Sequence, residues 1–477
     1  MLDKFATKVG SLLRRSGPAD ACESRGLLGN QSVQSLDLYA EGQHDKHNLV
    51  YWIFFIYGVA MLLPWNVFIT ASEFFARRFA GTQYAETFQN YFSTYFTATN
   101  LFIFAILLWR QSNSSTFRVD VMSPVTLNAI VFGIMSITVE TDTQGSGYFW
   151  FSLLLLVLTG ATTSVFQVAV FAEACRFPSE YVQAVMSGQG IAGVAVAVTS
   201  ILSAFAGSAT EAPDEAAIRR SAFLYFMAAL GITLMALIGR IIVVRQAFYK
   251  RQMEFESVDS SAIATSGLDD EEESIDDAQR FFADQDSKLS IVSVVKKSSA
   301  LVFAVGYVFV ITLALFPSIT ALIKSVSRYP PSAKSAANRF FDDDVFIAFH
   351  FVIFNVGDWI GRTMPIVEWL RTFKPNLLLL LSLSRTIFIP LFLWCNIVVS
   401  DRQLVTFIDS DLLYFVILSA FAVSNGWLGS LTMMAAPQQE SITSSAEKSL
   451  VGSVMSFSLV LGLAIGGAMS FGIRAMV

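Results

Sequence analysis

Asp358 and Arg362 stand four residues apart in FNVGDWIGR, 354–362, inside an otherwise apolar run. On a helix that spacing puts a carboxylate and a guanidinium on one face. Asn355, three residues before Asp358, extends the same stripe. A charge facing lipid costs roughly 2.5 kcal/mol or more on insertion scales, so the stripe must face a protein interior or a water-filled path. A carboxylate in such a place accepts from hydroxyls, and the guanidinium keeps it charged and oriented. The plainer alternative is a buried ion pair that only ties two helices together. Gly357 and Gly361 leave the helix thin enough for a close neighbour.

Polar side chains interrupt other apolar runs as well. Gln167 lies in SVFQVAVFAEA, and its amide both donates and accepts, which suits a neutral polar ligand or a bond between helices. Glu173 follows six residues later. Ser187, Gly188, Gln189, Gly190 and Gly193 open the next run with little bulk, as tight helix packing requires. In LLPWNVFIT, 62–70, Pro64 withholds a backbone donor and bends its helix. Trp65 offers a flat face for stacking and sits too deep for an interfacial anchor. Asn66 is expected to hold the helix to a neighbour. Arg385 precedes Pro390 in one late run; Ser424 and Asn425 precede Gly426 and Gly429 in the next; Gly462, Gly466 and Gly467 thin the last. Polar and thin residues drawn from so many runs indicate a central polar pathway.

The elements that must position these residues are membrane helices. Apolar types make up 54% of the 477 residues and charged types 15%, against about 25% in soluble chains, and mean hydropathy is +0.56. Stretches long enough to cross the hydrocarbon recur at 50–70, 91–109, 122–139, 148–171, 183–206, 221–247, 298–323, 344–366, 375–397, 409–435 and 449–472. The reading is an all-α polytopic membrane protein. A polar tail, 1–49, has no apolar signal segment, so the first span serves as the internal signal. The loop 248–297, rich in Ser, Asp and Glu and carrying DDEEESIDD at 269–277, is expected to be disordered. It divides the spans into a bundle of six, 50–247, and a bundle of five, 298–477. A two-bundle transporter uses such a hinge, and a passive tether is the equal alternative.

Enzyme chemistry finds no support. Cys22, Cys175 and Cys395 form no C-x-x-C pair, and His44 and His47 lack the glutamate of a metalloprotease motif. There is no phosphate-binding loop and no potassium-filter sequence. No metal, cofactor or nucleic acid is implied. Basic residues favour a cytoplasmic amino terminus only while the tail and long loop are counted, so they leave orientation open. Asn113-Ser-Ser matches a glycosylation site but reads as chance.

Taken together the motifs resemble the equilibrative nucleoside transporter family. GVAMLLPWNVFITASEFF, 58–75, is similar to its first-helix signature; FPSEYVQAVMSGQGIAG, 177–193, to its fourth-to-fifth helix junction; FNVGDWIGR to its eighth helix. SRTIFIPLFLWCN, SNGWLGSLTMMAAP and LGLAIGGAMSFGIR are similar to its last three. The resemblance implies eleven helices in a 6+5 arrangement like the major-facilitator fold, a cytoplasmic amino terminus, and carriage of nucleosides such as adenosine and uridine by alternating access. It implies that Leu62 and Trp65 enclose the nucleoside, that Gln167 contacts the base, and that Asp358 and Arg362 engage the sugar. Asn355 and Phe351 complete the expected substrate contacts. Pro64, Asn66, Gly188, Gly190, Gly193, Gly357, Gly361, Arg385 and Asn425 are expected to pack or gate the helices. Thr163 and Ile69 stand where some human members have Gly and Met, which puts inhibitor sensitivity in doubt. Proton-coupled members leave coupling through Asp358 or Glu173 open. ESRGLL, 23–28, fits an acidic dileucine sorting motif at Glu23, Leu27 and Leu28, although the plasma membrane is the expected location. An ion channel, or a receptor without flux, is the alternative from another class.

Overall fold

Eleven helices among the described residues are long and apolar enough to cross a membrane. The computed structural model describes residues 45–113, 119–206, 215–253, 290–329, 339–399 and 406–475. Glu23, Leu27 and Leu28, and the acidic run 269–277, lie outside them. From Lys46 onward the chain forms one compact unit.

The helices are α1 (Leu49–Thr70), α2 (Phe88–Asn113), α3 (Met122–Glu140), α4 (Ser146–Ala174), α5 (Ser179–Ala206) and α6 (Glu215–Val243). Later in the chain a short helix, Ile291–Lys297, stands where the sequence predicts the end of the disordered loop, followed by α7 (Ser299–Leu315), α8 (Asp343–Thr363), α9 (Pro375–Ser384), α10 (Asp411–Ala435) and α11 (Ser445–Arg474). Several ends follow from the sequence. Asp120 accepts from the N–H groups of Met122 and Ser123 and so starts α3. Ser444 accepts from Glu447 N at 3.1 Å, and the Glu447 carboxylate accepts from Thr443 N, a reciprocal cap on α11.

Prolines interrupt the helix inside two of the expected spans, both of which remain long and apolar enough to cross, at Ser299–Leu322 and Pro375–Leu393. The seventh, 298–323, is α-helical only to Leu315. Phe316 is extended (φ −110°, ψ 128°), and Pro317 has no N–H to give the Leu313 carbonyl, so the helix cannot run on through it. The ninth, 375–397, breaks after Ser384 into a tight turn at Arg385–Ile387 and a short helix, Phe388–Leu393. Pro390 withholds the N–H that the Thr386 carbonyl would take. The sixth span begins earlier than expected, at Glu215.

Packing joins α1 to α5 and α6, α2 to α4, and α3 to α6; later in the chain, α7 packs on α9, α10 and α11, and α8 on α10. α5 also meets α8 and α10, and α11 meets α4 and α2. Glycine sets the closest approaches. A Cβ at Gly58 would lie 2.1 Å from the Val185 carbonyl oxygen, and one at Gly188 would lie 2.0 Å from that of Phe55, so α1 and α5 touch backbone to backbone. Gly361 and Gly426 do the same for α8 and α10, at 2.2 Å from Val423 O and 1.9 Å from Asp358 O.

Burial is uneven along the helices. The end of α4, residues 181–190 of α5, the end of α10 and residues 449–456 of α11 are almost wholly buried. The second half of α5 and the segment of α1 around Leu62, Trp65 and Asn66 are largely half-buried or exposed.

Candidate functional site

α8 carries the charged stripe. Arg362 Nε donates to Asp358 Oδ2 at 2.7 Å, as the four-residue spacing requires, and both side chains are buried. The other carboxylate oxygen, Oδ1, accepts from Asn425 Nδ2 of α10 at 2.6 Å. The guanidinium also reaches α5, where Nη1 donates to Met186 O at 3.1 Å and to Gln189 Oε1 at 3.3 Å. Gln189 Nε2 points at Met61 Sδ of α1. Gln183 accepts from the Tyr51 hydroxyl and donates to Arg362 O. One ion pair therefore ties α8 to α10, α5 and, through Gln189, α1. Gly190 and Gly193 make room for it: a Cβ at Gly190 would meet Arg362 Cδ, and one at Gly193 would meet Asn355 Oδ1.

A second arginine lies behind Asp358. Arg385, at the tight turn after α9, is 1% exposed. Its Nη1 donates to Phe421 O at 3.0 Å and to Ser424 Oγ at 2.5 Å; its Nη2 donates to Thr312 Oγ1 at 2.9 Å. Thr312 in turn donates to Asn425 Oδ1 at 2.6 Å. Phe421 lies 4.6 Å from the guanidinium carbon.

The aromatic wall forms on α1 and α2. Trp65 stacks on Phe96, centroids 4.8 Å apart and planes 27° apart, and stays half-buried. Leu62 and Asn66 are half-buried beside it. The Asn66 side chain finds no hydrogen-bond partner among the described residues, so the expected bond to a neighbouring helix is not formed. α1 continues as helix past Pro64, whose ring is buried. Gly160 of α4 abuts Phe96, and Gln167 lies two turns further along α4. Gln167 is 6% exposed, yet its amide bonds to no described residue, which leaves donor and acceptor available. Phe351 and Asn355 are half-buried on α8. Phe351 packs edge-on against Phe316, and Asn355 Nδ2 donates to Phe351 O, so the amide oxygen is the free end, beside Gly193.

A family model described as nucleoside transporter matches residues 153–475, well over half of the chain. The chain belongs to the equilibrative nucleoside transporter family. It is similar to human equilibrative nucleoside transporter 1, with 28% identity over 91% of this chain and 98% of that protein. Human equilibrative nucleoside transporter 2 is 27% identical over 92% and 99%, and the yeast nucleoside transporter FUN26 is 25% identical over 89% and 84%. The solved structure of the human organic anion transporter MFSD10 aligns with 91% of this chain at 12% identity and a TM-score of 0.43.

In this equilibrative nucleoside transporter family member the structure joins to Asp358 and Arg362 polar residues that sequence reasoning does not link to them. Gln183 and Gln189 sit inside a motif read for its glycines, and their signal was an amide in an apolar helix, the same signal that flagged Gln167. Thr312 and Phe96 carry no signal in composition or spacing. Glu173 is bidentate with Arg240 of α6, at 2.8 and 2.9 Å, and accepts from the Tyr249 hydroxyl at 2.9 Å. Burial and the adjacent Glu173 carboxylate raise Tyr249 above the ordinary phenol value, so it remains a donor at neutral pH.

Proposed function

We propose that the chain carries nucleosides, adenosine and uridine among them, across a bilayer by facilitated diffusion through alternating access. Helices 50–247 and 298–477 form the two bundles, in a 6+5 arrangement like the major-facilitator fold, and rock about a midplane site. The base lies against Trp65 and Leu62, with apolar contact and stacking supplying most of the grip. Gln167 reads its hydrogen-bonding edge. Asp358 accepts from ribose hydroxyls, taking them in exchange for the Asn425 amide, while Arg362 holds it charged and Phe351 and Asn355 close the α8 side. The observation that carries this reading is an unpartnered amide at the tip of the largely buried Gln167, on a helix that also abuts the half-buried Trp65–Phe96 pair.

Facilitated transport is favoured over proton coupling because both candidate carboxylates, Asp358 and Glu173, are engaged by an arginine. In this reading the amino terminus is cytoplasmic, with the tail 1–49 and loop 248–297 on that side. The plasma membrane is the location, with Glu23, Leu27 and Leu28 offering a sorting adaptor an alternative signal. An unchanged surface level on replacing Leu27 and Leu28 would remove the sorting idea.

Uptake of radiolabelled nucleoside into proteoliposomes, with and without a pH gradient, tests the whole reading. The expected result is saturable uptake, mutual competition between adenosine and uridine, and no dependence on the gradient. Uptake that needs an inward proton gradient replaces facilitated with coupled transport. Binding without flux replaces the carrier with a receptor, and current far above carrier turnover replaces it with a channel.

A further inference from the structure

We infer that Arg385 is a positioning residue for Asp358, acting through Thr312 and Asn425; the inference rests on Asp358 meeting the sugar. The polarity of the connection is fixed at both ends. A carboxylate only accepts, so the Asn425 group facing Asp358 Oδ1 is Nδ2, and Oδ1 of that amide faces Thr312. A guanidinium only donates, so the Thr312 hydroxyl accepts from Arg385 on a lone pair; its own proton has two acceptors in reach, Asn425 Oδ1 at 2.6 Å and Val308 O at 2.7 Å, and we assign it to Asn425. The order of donation runs Arg385, Thr312, Asn425, Asp358, with distances of 2.9, 2.6 and 2.6 Å. A hydroxyl both accepts from Arg385 and donates to the amide at that middle place, and an aliphatic side chain does neither. An apolar residue there leaves Asn425 Oδ1 without its donor, so the amide is held on Asp358 from one end only.

The cost of Arg385 argues that it does more than pack. It is fully buried, its Nε has no partner, and no carboxylate lies within ion-pair distance among the described residues. An apolar side chain would fill the space without that desolvation penalty. What the arginine adds is a fixed donor that sets the threonine and, through it, the amide. Asp358 is thereby shared between two arginines. Arg362 holds Oδ2 directly and Arg385 governs the group on Oδ1, the oxygen that a ribose hydroxyl takes in exchange for Asn425.

The test compares Thr312→Val with Thr312→Ser at matched surface level, reading KM, Vmax and the preference for ribo- over 2′-deoxyribonucleosides. Thr312→Val keeps shape and removes the hydroxyl. It should raise KM for ribonucleosides about tenfold and reduce the sugar preference, while Thr312→Ser stays near wild type. Thr312→Ala cannot clash and carries the same expectation should the valine variant fail to reach the membrane. Unchanged KM and sugar preference in the hydroxyl-less variants overturn the inference, whatever happens to thermal stability. A serine variant as damaged as the valine one also overturns it, because the methyl group would then be what matters. Asp358→Asn is the control for the underlying reading. If it keeps sugar preference, the site assignment itself falls. If it loses that preference and Thr312→Val does not, only the role of Arg385 falls.

Discussion

Trp65 presents one face to Phe96 and keeps part of its ring uncovered. A base stacking on the uncovered part gains roughly 0.5–1.5 kcal/mol beyond area burial. Trp65→Ala should therefore raise KM several-fold for adenosine and uridine alike at unchanged surface level; an unchanged KM for both removes Trp65 from the site. Gln167→Leu should cost natural nucleosides more than analogues lacking the hydrogen-bonding edge of the base, because a buried ligand group left unpaired costs about 1–3 kcal/mol. Competition assays with the two kinds of ligand decide it, and equal losses assign Gln167 to packing. The Asp358–Arg362 pair was legible because both partners lie on one helix, where spacing alone sets the face. Its other partners come from α5 and α10, and Arg385 and Thr312 act from further elements still. No interval in the chain encodes a meeting between side chains on different helices. Arg385 and Asn425 stood out as polar residues in apolar runs, but nothing in the sequence linked them to Asp358.

At the scale of elements, hydropathy gave all eleven helices, because a membrane span is a composition before it is a geometry. It could not give the end of α7 or the break after α9. Apolar residues continue past both points, and the local backbone rule of one proline decides each. The glycines of α5 were legible as packing residues but not by partner. Gly188 faces the Phe55 carbonyl, a group that cannot rotate away. Gly188→Ala should overpack the α1–α5 contact by about 1–3 kcal/mol. A lowered thermal midpoint of the solubilised protein checks it. An unchanged midpoint would mean that the two helices part more easily than their spacing suggests.

The molecule as a whole is sealed where α4 turns into α5 and α10 approaches α11, and looser around the middle of α1. In detergent, Leu62→Cys should react with a polar thiol reagent and be protected by adenosine, whereas Met434→Cys, at a fully buried position, should not react. Reaction at both positions would contradict the asymmetry. The kind of atom each glycine faces carries a further, genetic consequence. Gly188 opposes a main-chain oxygen, which every residue possesses, so no second mutation can clear it. Gly193, where α5 meets α8, opposes the side-chain oxygen of Asn355, which a smaller residue at 355 would withdraw. A selection for restored transport should therefore return only true revertants from Gly188→Ala. From Gly193→Ala a parallel selection for restored surface level alone, transport aside, should also return suppressors at position 355, a residue 162 places away in the chain (355 − 193) yet its partner in inheritance.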